Sequence, residues 1–186
     1  MFTHRLARRE DIVQLKELMT SAIRELQKGF LSPEQIEASF DVMGLDTQLI
    51  DDGTYFIVEE NGAIAGCGGW SRRATLFGGD HSAGRSAALL DPAKDAARVR
   101  AMYTNPSFAR RGVGRLILQL CESAAAAEGF ARVELAGTMA GLPLYHACGY
   151  RDLEAFEAEA RSGIRIPLMR MGKEIAPLPV DGRTPT

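Results

Sequence analysis

ARVRAMYTNPSFARRGVGRLILQ, residues Ala97–Gln119, reads as a strand, a turn, a basic glycine-containing loop and the opening of a helix. The strand spans Arg98 to Thr104, Asn105-Pro106 turns the chain, and the helix runs from Gly112 to Glu128, where Gly129 closes it. Arg110, Arg111, Gly112, Val113, Gly114 and Arg115 therefore fall where the first backbone N–H groups of a helix lack partners. A helix start is worth about 0.3–1 kcal/mol to a nearby anion, and arginines add forked donors that suit phosphate oxygens. Glycine lets the backbone come close. The stretch predicts a cradle for a phosphate-bearing cofactor. It is not a P-loop, because no Gly-Lys-Ser/Thr follows, and it lacks the third glycine of a dinucleotide fingerprint.

Downstream, Phe130–Ala136 reads as a second strand, so the helix between the two is a crossover and the strands are parallel neighbours that need not pair along their whole length. A short helix over Thr138–Ala147, a turn at Gly149-Tyr150 and closing strands at Arg151–Phe156 and Ile164–Met171 follow. Upstream, His4–Arg8 forms a short strand, and Ile12, Leu15, Leu18, Met19, Ala22, Ile23 and Leu26 recur at helical spacing. Ser32-Pro33-Glu34-Gln35 has the signature of a capping box and starts another helix. Asn61-Gly62 between Tyr55–Val58 and Ile64–Trp70 makes a β-hairpin. Ser71–Ala96 is a long connection with Gly78-Gly79, Asp80, His81, Gly84 and Arg85, and connections of that length are often functional, which makes it a candidate substrate loop. The order of elements gives an α/β fold, a central twisted mixed sheet with helices on both faces.

The 186 residues suit one domain, and 46% apolar with 25% charged residues is an ordinary globular balance. A net charge of −2 gives no general attraction to nucleic acid or to an anionic membrane, so an anion site has to be local. Cys67, Cys121 and Cys148 are far apart and odd in number, which fits neither a disulfide framework nor a metal site. The charged start and the lack of a long apolar run suit a soluble, unexported, cytoplasmic protein.

Thr104-Asn105-Pro106, ARRGVGR, the long helix, the strand after it and LPLYHACGY (Leu142–Tyr150) together resemble the GCN5-related N-acetyltransferase (GNAT) family. The likeness follows the element order over most of the chain, and its specific motifs lie at about residues 99–150. The resemblance implies the GNAT-like acyl-CoA N-acyltransferase fold in one domain, residues 1–172, followed by a flexible tail from 173 to 186 whose proline-rich end, 177–186, is mobile. It implies acetyl-CoA as the donor, with no metal, no nucleic acid and no membrane partner. Met102, Tyr103 and Thr104 would hold the pantetheine arm through the backbone, and Arg110, Arg111, Gly112, Val113, Gly114 and Arg115 the pyrophosphate. Tyr145, in the pattern Tyr-x-x-x-Gly-aromatic, would protonate the departing thiolate. The chain departs from the family pattern at Ala109, where Gln or Arg opens the loop, and at Thr138, where Asn often stands. The acceptor would be a primary amine of a small molecule or a protein, and a homodimer is compatible with the pattern. The rival reading is a non-catalytic acyl-CoA-binding regulatory module.

Direct attack by an amine calls for a base or a water chain. Glu134, on a strand beside the site, and Asp80 or His81, in the long loop, are the candidates, against a solvated strand Glu and a turn-forming Asp. His146 would point about 100° away from Tyr145 on a helix. Cys148 raises a covalent acyl-enzyme, although a Cys before a helix-ending Gly is more often a small buried hydrophobe. Arg72, Arg73, Arg85, Arg98 and Arg100 could meet an acceptor carboxylate or phosphate, or could be surface charges.

Overall fold

The computed structural model describes residues 1–176. Strand β1 (Thr3–Leu6) leads through one tight turn into helix α1 (Ile12–Leu26), which buries Leu15, Leu18, Met19, Ala22 and Ile23 on the stripe that its sequence predicts. Helix α2 (Pro33–Val42) starts on the expected capping box: the Ser32 hydroxyl accepts from the Gln35 N–H at 3.2 Å, and the Gln35 carboxamide oxygen accepts from the Ser32 N–H at 3.1 Å. Helix α3 (Thr47–Asp51) was not anticipated, being too short to show a helical period. Asp46 caps it by accepting the Gln48 N–H at 3.1 Å.

Strands β2 (Tyr55–Glu60) and β3 (Ala63–Ser71) form the expected hairpin, with Asn61 and Gly62 both at positive φ, 52° and 80°. Strand β4 (Ala97–Thr104), helix α4 (Val113–Ala127) and strand β5 (Arg132–Thr138) make the crossover unit. Thr138 ends β5 instead of opening the next helix, because its hydroxyl accepts the Gly141 N–H at 3.2 Å and turns the chain. Helix α5 (Leu142–Ala147) and strands β6 (Arg151–Glu159) and β7 (Arg165–Glu174) complete the fold. Strand β7 runs past the domain end expected at 172, and the proline-rich end at 177–186 lies outside the described residues. Among the described residues, no helix is long and apolar enough to cross a membrane.

The seven strands lie in the order β1-β2-β3-β4-β5-β7-β6. Neighbours are antiparallel except β4 and β5, which are parallel. One face is covered by α4, whose Val113, Ile117, Leu118 and Cys121 pack with Val58, Val99, Val133 and Leu135. On the other face Leu15 of α1 and Leu49 of α3 pack on Tyr55, Ile57 and Cys67. A third cluster holds α2 to β7 through Ile36, Val42, Ile166 and Leu168.

Two features of the sheet position the site. Glycines in β3 let α4 lie directly on the strands: a Cβ at Gly66 would stand 2.6 Å from Val113 Cγ1, and one at Gly68 would stand 2.6 Å from Ile117 Cγ2. Strand β4 pairs with β5 only at Ala97 opposite Val133 and Arg98 opposite Glu134, so the two strands part beyond that point. At the parting β4 carries a bulge, with Ala101 and Met102 set against the single residue Gly68 and Ala101 at φ 50°. The Tyr55 hydroxyl donates to the Ala101 carbonyl at 2.7 Å and holds this left-handed, non-glycine residue in place.

Candidate active site

The parting of β4 from β5 opens a cavity of about 90 Å³. Its floor is Arg100, Ala101, Met102 and Tyr103 of β4, and its far wall is Leu135, Ala136 and Thr138 of β5 with Leu168 of β7. Two loops close it, Met43-Gly44 after α2 and Leu76–Gly78 in the long connection, and Tyr145 of α5 stands at one end. From Val99 onward the edge of β4 that faces this opening has no strand partner. The bulge interrupts the ladder, so backbone donors and acceptors are available there to something other than the sheet.

Tyr145 is held by the absence of side chains beneath it. Its ring lies so close to the backbone that a Cβ at Gly141 would come within 2.7 Å of ring carbon Cε2, and one at Gly137 within 3.2 Å. Tyr150 meets the ring edge-on at a centroid distance of 6.0 Å. Burial, with smaller effects from the thiols of Cys121 and Cys148, pushes the phenol up to about 12. Its hydroxyl makes no hydrogen bond to a partner among the described residues. Tyr103 differs, since its hydroxyl accepts the Gly44 N–H at 3.0 Å and ties the linker after α2 to β4. Burial also raises the Tyr103 phenol well above its ordinary range.

The basic loop lies at the start of α4. Arg110 and Gly112 are both at positive φ, 65° and 88°, and the Gly112 cap makes no side-chain capping bond. In the first backbone bond of the helix the Leu116 N–H donates to the Gly112 carbonyl at 3.0 Å, which leaves the N–H groups of Val113, Gly114 and Arg115 ahead of it. Alternating right- and left-handed residues with free N–H groups make a concave anion nest. Arg110 and Arg115 are exposed around it. Arg111 has another task, because its guanidinium pairs with Glu60 at 2.7 Å and sits over the rings of Phe2 and Phe108 at 5.3 and 5.2 Å. Gly114 faces α5, and a Cβ there would stand 2.6 Å from Leu144 Cδ2.

None of the expected bases borders the cavity. Glu134 is held by Arg98 and by Arg170, the latter at 2.7 Å, so it is neither a free base nor a solvated strand residue. Asp80 accepts the Thr47 N–H at 3.0 Å and also pairs with Arg85 at 3.2 Å, while the His81 ring bonds to the Phe40 carbonyl at 2.8 Å. Both fasten the long connection to α2 and α3. His146 does point away from Tyr145, and pairs with Asp152 at 2.7 Å. Cys148 packs against the main core and does not line the cavity.

The arginines considered for an acceptor anion are all paired within the chain: Arg72 with Glu128, Arg73 with Asp52, Arg85 with Asp46 and Asp80, Arg98 with Glu134, and Arg100 with Asp46. The last of these was the feature that sequence reasoning missed. The side chains of Arg100 and Asp46 are 2% and 3% exposed, 3.0 Å apart, and Arg100 also donates to the Gly78 carbonyl at 2.7 Å and the Thr75 carbonyl at 3.2 Å. Burial pulls the guanidinium below its usual range, and Asp46 opposes that shift. Arg100, the second cation of β4 and set in the middle of the strand between Val99 and Ala101, is the sequence signal that calls for such a partner.

A profile of the Acetyltransferase (GNAT) family matches residues 17–150. No curated protein sequence matches the chain significantly. Among solved structures, the fold is similar to a GCN5-related N-acetyltransferase from Rhodopseudomonas palustris, with a TM-score of 0.69 and 19% identity over 93% of this chain and 95% of that one. It is also similar to the PaiA N-acetyltransferase of Thermoplasma acidophilum in complex with coenzyme A, with a TM-score of 0.62 and 12% identity over 94% of this chain and 99% of that one. The yncA protein of Salmonella typhimurium, solved with its cofactor acetyl-CoA, gives a TM-score of 0.61 and 16% identity over 100% of this chain and 98% of that one.

Proposed function

The chain belongs to the GNAT acetyltransferase family, and from that premise we propose that it is a single-domain N-acetyltransferase that moves the acetyl group of acetyl-CoA directly to a primary amine. The observation that carries the reading is the conjunction of three parts around one opening: the unpaired edge of β4, the anion nest at the start of α4, and a Tyr145 hydroxyl without a protein partner at the end of the cavity.

In this reading the pantetheine arm takes the place of the missing strand and pairs with Met102, Tyr103 and Thr104. The pyrophosphate sits on the N–H groups of Gly112 to Arg115, with Arg110 and Arg115 as cations near it. Arg111 contributes through its backbone, its side chain being engaged with Glu60. The thioester carbonyl meets the bulge at Ala101 and Met102, where donors free of the ladder can hold an oxyanion. The amine lone pair forms the C–N bond, the C–S bond breaks and Tyr145 gives its proton to sulfur. The surplus proton on nitrogen leaves through water, and the tyrosine is reprotonated.

A phenol at about 12 facing a thiolate of ordinary basicity, about 8.5, would be a reluctant donor. Wherever water is excluded around the leaving sulfur, the thiolate is destabilised too and becomes a stronger base, which brings the two groups closer in strength. Matching of this kind is what makes a general acid effective.

The test is release of free thiol from acetyl-CoA with a panel of amines, run beside thermal melts with and without acetyl-CoA. Amine-dependent release together with a raised melting temperature is the expected result. A raised melting temperature without release from any amine would leave the non-catalytic acyl-CoA-binding module instead. No change in either would remove the donor site.

A further inference from the structure

Tyr55 is a fully buried phenol in β2 that does not border the cavity. Its ring lies across β3 because the residue opposite it is Gly69, where a Cβ would stand 2.7 Å from Tyr55 Cδ2. The hydroxyl thereby reaches one strand further, to β4, and its single proton goes to the Ala101 carbonyl at 2.7 Å. The Cys67 sulfur, 3.3 Å away, is left to donate its own hydrogen to the phenol oxygen. A phenylalanine would fill the same space, so what the tyrosine adds is one strong bond to one peptide group.

That peptide is the one at the bulge. Ala101 stands at φ 50°, a conformation that is costly for a residue with a Cβ and persists only where its surroundings hold it. Ala101 and Met102 oppose the single residue Gly68, so the ladder to β3 does not fix the orientation of the peptide between them. The Tyr55 hydroxyl does. The peptide joining Ala101 to Met102 is trans, and in a trans peptide the C=O and the N–H point to opposite sides. With the Ala101 carbonyl held toward β2 and β3, the Met102 N–H is turned away from them, to the side on which β4 has no strand partner beyond Arg98. Ala101 and Met102 both border the cavity there. Resting on the N-acetyltransferase reading, we propose that Tyr55 is a positioning residue for the reaction: its hydroxyl, acting through the Ala101 carbonyl, aims the Met102 N–H at the thioester oxygen. That oxygen gains negative charge as the amine attacks, and a donor already oriented holds the charge without first having to turn. Tyr55 itself touches neither substrate.

The experiment binds acetyl-CoA, isotope-labelled at the thioester carbonyl carbon, to the protein without an amine and reads the carbonyl stretch by isotope-edited infrared spectroscopy. Wild type should shift the stretch below its value in free acetyl-CoA. Tyr55→Phe should lose most of that shift, while calorimetry finds CoA bound with the same affinity and stoichiometry. With an accepted amine, kcat should fall by about 10–10²-fold, at or below the 10²–10³ that loss of a whole oxyanion donor costs, and the KM for acetyl-CoA should hardly move. Para-aminophenylalanine in place of Tyr55 keeps a donor on the ring and should restore the shift, whereas para-fluorophenylalanine fills the hydroxyl's place without one and should not. That pair stays informative if Tyr55→Phe fails to fold. Tyr55→Phe with the wild-type shift and kcat overturns the proposal and leaves the transferase intact. So does a fall in kcat matched by a fall in binding stoichiometry with the shift per bound molecule unchanged, which is the mark of a packing residue. A wild-type stretch equal to that of free acetyl-CoA removes the Met102 donor and the proposal with it. If the stretch responds as expected and no amine is ever acetylated, the positioning of the Met102 N–H stands and the transferase reading falls. Failure of wild type to bind acetyl-CoA overturns both.

Discussion

Replacing Asp46 by Asn should be among the most damaging isosteric changes in this chain. The carboxylate is 3% exposed and meets two guanidiniums, Arg100 at 3.0 Å and Arg85 at 2.7 Å. Asn keeps the shape and can still accept the Gln48 N–H that caps α3. It removes the charge and, with Oδ1 kept on Gln48, turns the Oδ2 acceptor that faces Arg100 into an NH2 donor, which leaves Arg100, 2% exposed, as a buried cation bonded to two neutral carbonyls. Stripping one partner from a buried pair costs about 3–5 kcal/mol. At roughly 2–4 °C per kcal/mol for a chain of this size, the melting temperature should fall by about 6–20 °C. Urea denaturation of Asp46→Asn, Arg100→Met and the double variant gives the coupling. The double variant should be more stable than the sum of the singles predicts, since a buried methionine needs no counter-ion. Raising salt from low to about 1 M should barely change that coupling, because a buried pair is poorly screened. Strict additivity, or an Asp46→Asn cost under about 1 kcal/mol, would refute the argument that this pair holds the long connection against β4.

The remaining predictions concern the donor side. Tyr145→Phe keeps the ring against Gly137 and Gly141 and should lower kcat by about 10²–10⁴ with CoA affinity nearly unchanged; unchanged kcat by thiol release would remove the residue from the mechanism. Burial raises the Tyr145 phenol above its ordinary 10, up to about 12, so the proton is retained and kcat should not fall between about pH 9 and 11 through loss of this acid. By the same sign, the stability that this neutral phenol contributes is complete below its unfolded value near 10 and is lost as pH rises through about 12, which alkaline melts would report. Gly66→Ala puts a methyl 2.6 Å from Val113 Cγ1 and 2.9 Å from the Tyr103 carbonyl, so it should destabilise by about 1–3 kcal/mol in urea and weaken CoA binding by lifting the start of α4.

Local chemistry made much of the fold legible. Ser32 and Gln35 mark a helix start wherever they stand, Asn61-Gly62 turns a hairpin on backbone grounds alone, and the stripe from Leu15 to Ile23 needs only a core to face. The opening between β4 and β5 was foreseen only as incomplete pairing, since the bulge that accompanies it rests on Ala101, a residue with no intrinsic preference for positive φ. The cavity itself was illegible for a different reason. Its wall is assembled from Met43, Phe77, Leu135 and Leu168, and its charge is fixed by Arg100 meeting Asp46 across 54 residues of chain. Glu134 likewise looked free in sequence because Arg170 reaches it from a strand 36 residues away.

The close seating of α4 on Gly66 and Gly68, and of α5 against Gly114, makes this part of the molecule a ruler. Backbone rests directly on the Val113, Ile117 and Leu144 side chains between the basic loop and the helix of Tyr145, so in the proposed reaction every acyl-CoA delivers its sulfur to one point. The pantetheine cannot slide back to make room. A longer acyl group can then extend only forward, into the space enclosed by Met43, Phe77 and Leu168. Donor length and acceptor bulk therefore compete for a single volume, and a variant widened to accept one should become less selective for the other.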